Sequence, residues 1–403
     1  MTINKKSNYL KYFFMTVVLV SLTACQGAMP SYPTTGKNRT HPHMGMQQSE
    51  HIDESTNPPA IDLKTITHLD TVVSKLSSKQ VIFIGESHDR YDHHMNQLEI
   101  IRRLYEDNHE VVIAMEFFQQ PFQKYLDAYI AGSIDERDFL RKTEYFHRWR
   151  IDYRNYRPII QYAKEHSIPL LALDTADELK HKVAQSGIEG LDPEDRKQVP
   201  EEIDRSNVQY RKMLKSIYAM HPQAPGQNFE KFEDGQLLRD ESMAQRAAQY
   251  LKEHSKSRMV VLAGGGHLVY GYGIPSRLKR RINIASAIVL NNIQMEPEVG
   301  LADYMLLSTP VQLPQQGRLG AYLNNLNEGG VSITNFTENS PAKLAGIERN
   351  DRIISLDGKQ TGYISDVKYA LLEKQPGDTV KVKVQRKNWL GTVQEREFEV
   401  VLY

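Results

Sequence analysis

Two glutamates and two histidines stand at or just beyond the ends of three apolar runs. Glu86 and His88 follow Val81-Ile82-Phe83-Ile84-Gly85, and Glu116 follows Val111-Val112-Ile113-Ala114-Met115. His267 follows Val260-Val261-Leu262-Ala263-Gly264-Gly265-Gly266. Carboxylate oxygen and imidazole nitrogen together suit a divalent metal such as Mn²⁺, Co²⁺ or Zn²⁺. Neutral His88 and His267 would bind the ion, while Glu86 or Glu116 serves as a ligand or as base to a bound water. The expected metal ligands are Glu86, His88, Glu116 and His267, with Glu86 and His267 as the catalytic pair.

Each piece has a plainer use. An acidic residue before a helix stabilises its amino end, so Glu86 and His88 alone leave capping and ligation both open. A glycine-rich turn after a strand can cradle phosphate, but Gly264-Gly265-Gly266 lacks the lysine of a P-loop. The coincidence of three strand ends carries the argument. Asp174, after Leu170-Leu171-Ala172-Leu173, adds a fourth carboxylate of the same kind.

The elements that must position these groups are short, apolar and β-branched, the pattern of strands buried on both faces. Parallel strands deliver their carboxyl ends to one rim, where ligands bind. Strands are expected at 81–85, 111–115, 168–173, 259–262 and 284–290, alternating with helices. That order predicts an α/β fold, a mostly parallel sheet flanked by helices. The helical surplus between 117 and 255 predicts a helical subdomain beside it. After Leu313-Pro314 the pattern changes to short strands around one helix near 365–374, a small β-rich domain.

Composition bounds the rest. The 403 residues carry 50 basic and 50 acidic side chains, which gives no argument for a nucleic-acid partner. Lys5-Lys6, the apolar run 12–20 and Leu22-Thr23-Ala24-Cys25 form a secretory leader. Its end resembles the bacterial lipobox, which implies cleavage and lipidation at Cys25. Gln26 replaces the aspartate that usually signals inner-membrane retention, so the expected address is the outer membrane of a bacterial envelope. Cys25 is the single cysteine, which excludes disulfides and thiolate metal sites. Residues 26–60 are polar and read as a disordered tether.

The motifs Gly85-Glu86-Ser87-His88, Asp92-His93-His94-Met95-Asn96-Gln97, Met115-Glu116 and Ala263-Gly264-Gly265-Gly266-His267 resemble the ChaN-type haem-binding lipoproteins. These share a superfamily with the Tiki metallopeptidases and the erythromycin esterases. The resemblance implies a protein that binds haem or iron for uptake, with Tyr91, His93 and His94 at the haem. Tyr91 replaces an expected small residue or proline and offers an axial oxygen to ferric haem. A haem held between two copies needs fewer ligands from each, so a homodimer is open to the chain. The Tiki side of the superfamily implies the alternative, a metal-dependent hydrolase or peptidase.

Ser340-Pro341-Ala342-Lys343-Leu344-Ala345-Gly346-Ile347, the run Asp351–Lys359 and Gln375-Pro376-Gly377-Asp378 resemble a PDZ domain. The resemblance implies capture of a peptide or protein carboxyl terminus by strand addition. Leu319-Gly320-Ala321 is then the carboxylate loop, and the receiving strand begins at Tyr322. The expected organisation is a leader at 1–24, lipidated cysteine and tether at 25–60, the α/β domain at 61–312 and the PDZ domain at 317–403.

Overall fold

A computed structural model describes residues 67–220, 228–292, 295, 297–327, 329–389 and 391–403. The leader, Cys25 and the tether lie outside the described residues. Among the described residues no helix is long and apolar enough to cross a membrane.

The first region contains β1 (Val81–Glu86), β2 (Val111–Gln119), β3 (Leu170–Asp174), β4 (Arg258–Gly264), β5 (Ser286–Asn291) and β6 (Tyr304–Leu306). They form a six-stranded sheet in the order β3-β2-β4-β1-β5-β6, with every pairing parallel. Its helices are α1 (Leu69–Leu76), α2 (Tyr91–Asp107), α3 (Gln123–Ile130), α4 (Glu136–Lys142), α5 (Tyr145–Arg148) and α6 (Arg157–Glu165). They continue with α7 (Asp177–Ser186), α8 (Pro193–Arg196), α9 (Val208–Met220), α10 (Phe229–Glu253) and α11 (Ile274–Arg281).

Alternation within each strand builds two cores. Ile82, Ile84, Ile113, Met115, Val260 and Leu262 meet α1, α2 and α6 on one face. Val81, Phe83, Val112, Ala114, Met259 and Val261 meet α10 and α11 on the other. Full burial of each such side chain stabilises by about 1.5–3 kcal/mol, which explains why these runs carry no polar face. The helical surplus divides: α3 to α6 pack into the first core, while α7 and α9 pack on α10, in satellite clusters such as Leu179, Val183 and Leu238.

The aromatic stretch 145–156 helps fill the first core. Tyr145, Tyr153 and Tyr156 are fully buried there, so they pack helices and line no open face.

The second region contains β7 (Ala321–Asn325), β8 (Val331–Phe336), α12 (Pro341–Leu344), β9 (Arg352–Leu356), β10 (Lys359–Gln360), α13 (Ile364–Ala370), β11 (Thr379–Lys387) and β12 (Val393–Val401). The sheet is antiparallel, in the order β12-β11-β9-β8-β7, with β10 paired to β9. α13 is shorter than the sequence pattern suggested. It stops at Ala370, and Leu372 turns into the core of the first region.

α13 is also pinned to that region. Arg137 Nε donates to Asp366 Oδ1 at 2.8 Å, and Arg137 Nη2 donates to the Gln360 carbonyl at 2.6 Å. Asp366 accepts from the Gly362 and Tyr363 amides as well, at 2.8 and 2.9 Å, and so caps its own helix. Asp366→Ala removes both functions. The expected cost is about 1–2 kcal/mol in urea unfolding, near the top of the range for a lost cap.

Candidate functional site

The carboxyl ends of β1, β2, β3 and β4 do converge. The four residues singled out from sequence meet around Gly264.

Glu86 is buried, and both its oxygens are engaged. Oε1 accepts from His88 Nδ1 at 2.9 Å and from the Tyr156 hydroxyl at 2.7 Å. Oε2 accepts from Gln97 Nε2 at 2.6 Å. Burial alone would raise its pKa, but His94 and the His88 hydrogen bond outweigh this and hold it below the ordinary value. Glu86 holds the His88 ring through Nδ1, and His88 keeps 16% of its side chain exposed.

The expected role of Gly85 changes. It lies inside β1, where a Cβ would meet Leu290 Cδ2 at 2.5 Å. Its small size admits β5; no turn is made there. Gly264 serves the site directly. A Cβ on it would lie 2.9 Å from His88 Cε1 and 3.5 Å from Glu116 Oε2.

Glu116 is not at a strand end, because β2 continues to Gln119. The register with β3 shifts between Met115 and Gln119, and pairing with β4 ends at Met115. The two strands part at that irregularity. Glu116 Oε2 then takes the Gly264 amide at 2.6 Å, a contact a regular ladder would not leave open.

The residue the sequence reading missed is Arg239, on α10. Its Nη2 donates to Glu116 Oε1 at 2.5 Å and to Asp174 Oδ2 at 3.1 Å. Its Nη1 lies 3.1 Å from His267 Nε2. Asp174 also accepts from Lys180 Nζ at 2.8 Å. The next residue, Asp240, accepts from His267 Nδ1 at 2.6 Å and from the Tyr210 hydroxyl. One signal was present in the sequence. Leu237, Asp240, Glu241, Ala244 and Ala248 recur at helical spacing, which places two acids on a buried stripe.

The expected metal ligands are engaged within the protein, Glu86 with His88, and Glu116 and His267 with Arg239. A guanidinium already pairs with the carboxylates a divalent ion would need, and like charges repel at such range. Among the described residues no group of three or more His, Cys, Asp or Glu has metal-holding geometry. Burial depresses the charge on His267, but Glu116 and Asp240 outweigh it and lift its pKa from 6.5 to about 9. Burial raises and the ion pairs lower Glu116, which ends well below the usual carboxylate value. The site is an interlocked acid–base network.

The expected haem-side residues separate. His93 and His94 are fully buried. His93 Nδ1 accepts from the Ser87 amide at 3.0 Å, and His94 Nε2 contacts the His88 carbonyl at 3.1 Å. They shape the turn after β1 and present no nitrogen to solvent. Tyr91 is half-buried at the start of α2, and no hydrogen-bond partner meets its hydroxyl among the described residues.

A parallel sheet with this polar rim, joined to a β-rich module with an open edge strand, defines a two-part architecture. The chain belongs to the family described as haem-binding uptake, Tiki superfamily, ChaN, whose model matches residues 72–278. A PDZ model matches residues 317–395.

Among curated proteins, the chain is similar to Protein RETICULATA-RELATED 5, chloroplastic, of Arabidopsis thaliana. The two are 24% identical over 265 residues, which is 59% of this chain and 35% of that protein. It is also similar to the Serine protease Do-like HtrA of Bacillus subtilis, 36% identical over 118 residues, which is 29% of this chain and 25% of that one. The match thus spans about a third and a quarter of these relatives' lengths. Among solved structures is ChaN of Campylobacter jejuni, described with cofacial haem binding. It is 18% identical, with 59% of this chain and 91% of that chain covered and a TM-score of 0.49.

Arg239→Met leaves Glu116 and Asp174 buried beside one lost cation. The expected destabilisation is about 3–5 kcal/mol in urea unfolding. The raised pKa of His267 sets a pH signature. Its stabilisation is fully present below pH 6.5 and is lost as pH rises toward about 9. Unfolding midpoints across that window should fall in the wild type, and His267→Gln should flatten the slope.

Proposed function

We propose that the protein is a lipid-anchored envelope protein that binds haem or iron for acquisition, and that its PDZ domain captures a peptide or protein carboxyl terminus. The family supports haem as cargo. The observation that carries the reading within this chain is Tyr91. Its phenol oxygen is a ligand type that ferric haem accepts, the residue is only partly buried, and among the described residues no hydrogen bond engages its hydroxyl.

The surroundings fit a porphyrin. Asp92 accepts from Ser308 Oγ at 2.5 Å, which ties the segment 307–311 against the first turn of α2. Leu307 and Val311 on that segment are 76% and 51% exposed. Arg90, on the other side of Tyr91, is a cation of the kind that meets a propionate, although Asp92 holds it at 2.6 Å. Apolar surface, an oxygen ligand and a cation are what haem presents partners for. His93 and His94 act behind this surface by fixing the backbone. A homodimer with haem between two such surfaces is part of the proposal, as is an outer-membrane location set by Cys25.

One observation favours a second reading, hydrolysis. His88 and His267 each have a buried carboxylate on Nδ1, and their Nε2 atoms lie beside Gly264 and Arg239 respectively. Two imidazoles held this way are suited to general acid–base work.

Ferric haem titrated into the detergent-solubilised full chain should give a saturable Soret shift. Tyr91→Phe should weaken it by about tenfold or more, roughly 1.4 kcal/mol, while His88→Gln leaves it unchanged. Equal affinity in Tyr91→Phe would remove Tyr91 from the haem site. Loss of haem binding in His88→Gln, or ester or peptide cleavage that survives chelation and disappears in that variant, would move the function to the strand-end rim.

A further inference from the structure

β7 is an open edge. It pairs with β8 and with no other described strand. Its Tyr322 is 56% exposed. α13 runs beside it, and the Ile364 amide donates to Asn325 Oδ1 at 2.8 Å. That bond ties the amino end of α13 to the far end of β7. Leu319, just before β7, is buried in one cluster with Val367 and Leu371 of the helical wall, and Leu323 and Ile364 border it.

Direction follows from this geometry. A peptide whose carboxylate is held at Leu319-Gly320 has its end at the start of β7. It must run antiparallel to β7 and leave past Asn325. β7 has five residues, which an extended strand covers in roughly 16 Å. Upstream residues of a longer ligand therefore emerge between Asn325 and Tyr363.

That exit is bordered by the first domain. Arg137 of α4 grips Asp366 and the Gln360 carbonyl. The Arg141 guanidinium, one turn further along α4, lies 5.4 Å from the centre of the Tyr363 ring, and Tyr363 is 47% exposed. The groove walls offer no competing acid. β7 carries no charged residue, and Asp366 of α13 is consumed by Arg137 and by its own cap. Arg141 keeps 30% of its side chain exposed, with Asp138 at 2.6 Å on one nitrogen. A guanidinium fork over an aromatic ring, with an open face, is a carboxylate receptor.

We propose that the PDZ groove continues onto α4 of the first domain, and that its partner is an extended carboxyl-terminal peptide with an acidic residue roughly six to eight positions from its end, paired with Arg141 beside Tyr363. This rests on reading β7 and α13 as a peptide groove. The recognition surface is then shared between domains, and a partner held there is presented alongside the first domain at a fixed position.

The test uses fluorescence anisotropy on the full chain. The probes are a panel of labelled pentapeptides with different apolar carboxyl-terminal residues. The best binder is then extended at its amino end by four residues, either serines or serines with one glutamate. The glutamate extension should bind about threefold to fivefold more tightly than the serine extension, with a gain that shrinks as salt rises. Arg141→Gln should abolish the gain while leaving the pentapeptide affinity unchanged, which also shows that the variant is folded. Asp138→Asn, which frees Arg141 from its helical partner, should enlarge it. Pentapeptide binding with no difference between the two extensions would overturn the inference and leave the groove reading intact. No binding by any pentapeptide would overturn both.

Discussion

One buried guanidinium organises the rim of the sheet. Arg239 touches carboxylates from β2 and β3 and the imidazole that follows β4, so a helix closes across three strand ends. Charges taken out of water are costly, and the cost is met when every group finds a partner. Here Glu116, Asp174 and Asp240 are each answered by a cation or a donor. The same completeness keeps His88 and His267 oriented, because each is held through Nδ1 by a carboxylate that is itself fixed.

Much of this fold was legible in the sequence, because the signals were local. β1, β4 and β5 are short β-branched runs, and their two-sided burial is what the lack of alternation implied. The PDZ turns and caps were likewise set by neighbouring residues, as with Ser340, whose Oγ accepts from the Lys343 amide at 3.2 Å. Glu116 was placed correctly on the rim for an incomplete reason. Its strand runs past it, and a register shift that no composition signal marks aims its carboxylate at Gly264.

Arg239 was not legible, and the reason is physical. Its partners are 123, 65 and 28 residues away in sequence. An arginine in a long helix ordinarily faces water, and nothing in its immediate neighbours distinguishes this one. Only the buried acids Asp240 and Glu241, on an otherwise apolar stripe, betray that this part of α10 faces the interior. The burial of His93 and His94 was not legible for a related reason. His93 and His94 are polar and adjacent to a turn, which suggests exposure, but α2 rotates both inward to support Ser87 and Glu86.

The molecule holds two distinct places, a charge-locked rim built on Arg239 and a partly buried phenol at the start of α2. The most direct measurement is a crystal structure of the chain with ferric haem, with the iron located by anomalous scattering. The account predicts iron bonded to the Tyr91 oxygen, with Arg239 still bridging Glu116 and Asp174. Iron coordinated by His88 or His267, with Arg239 displaced from its carboxylates, would contradict it.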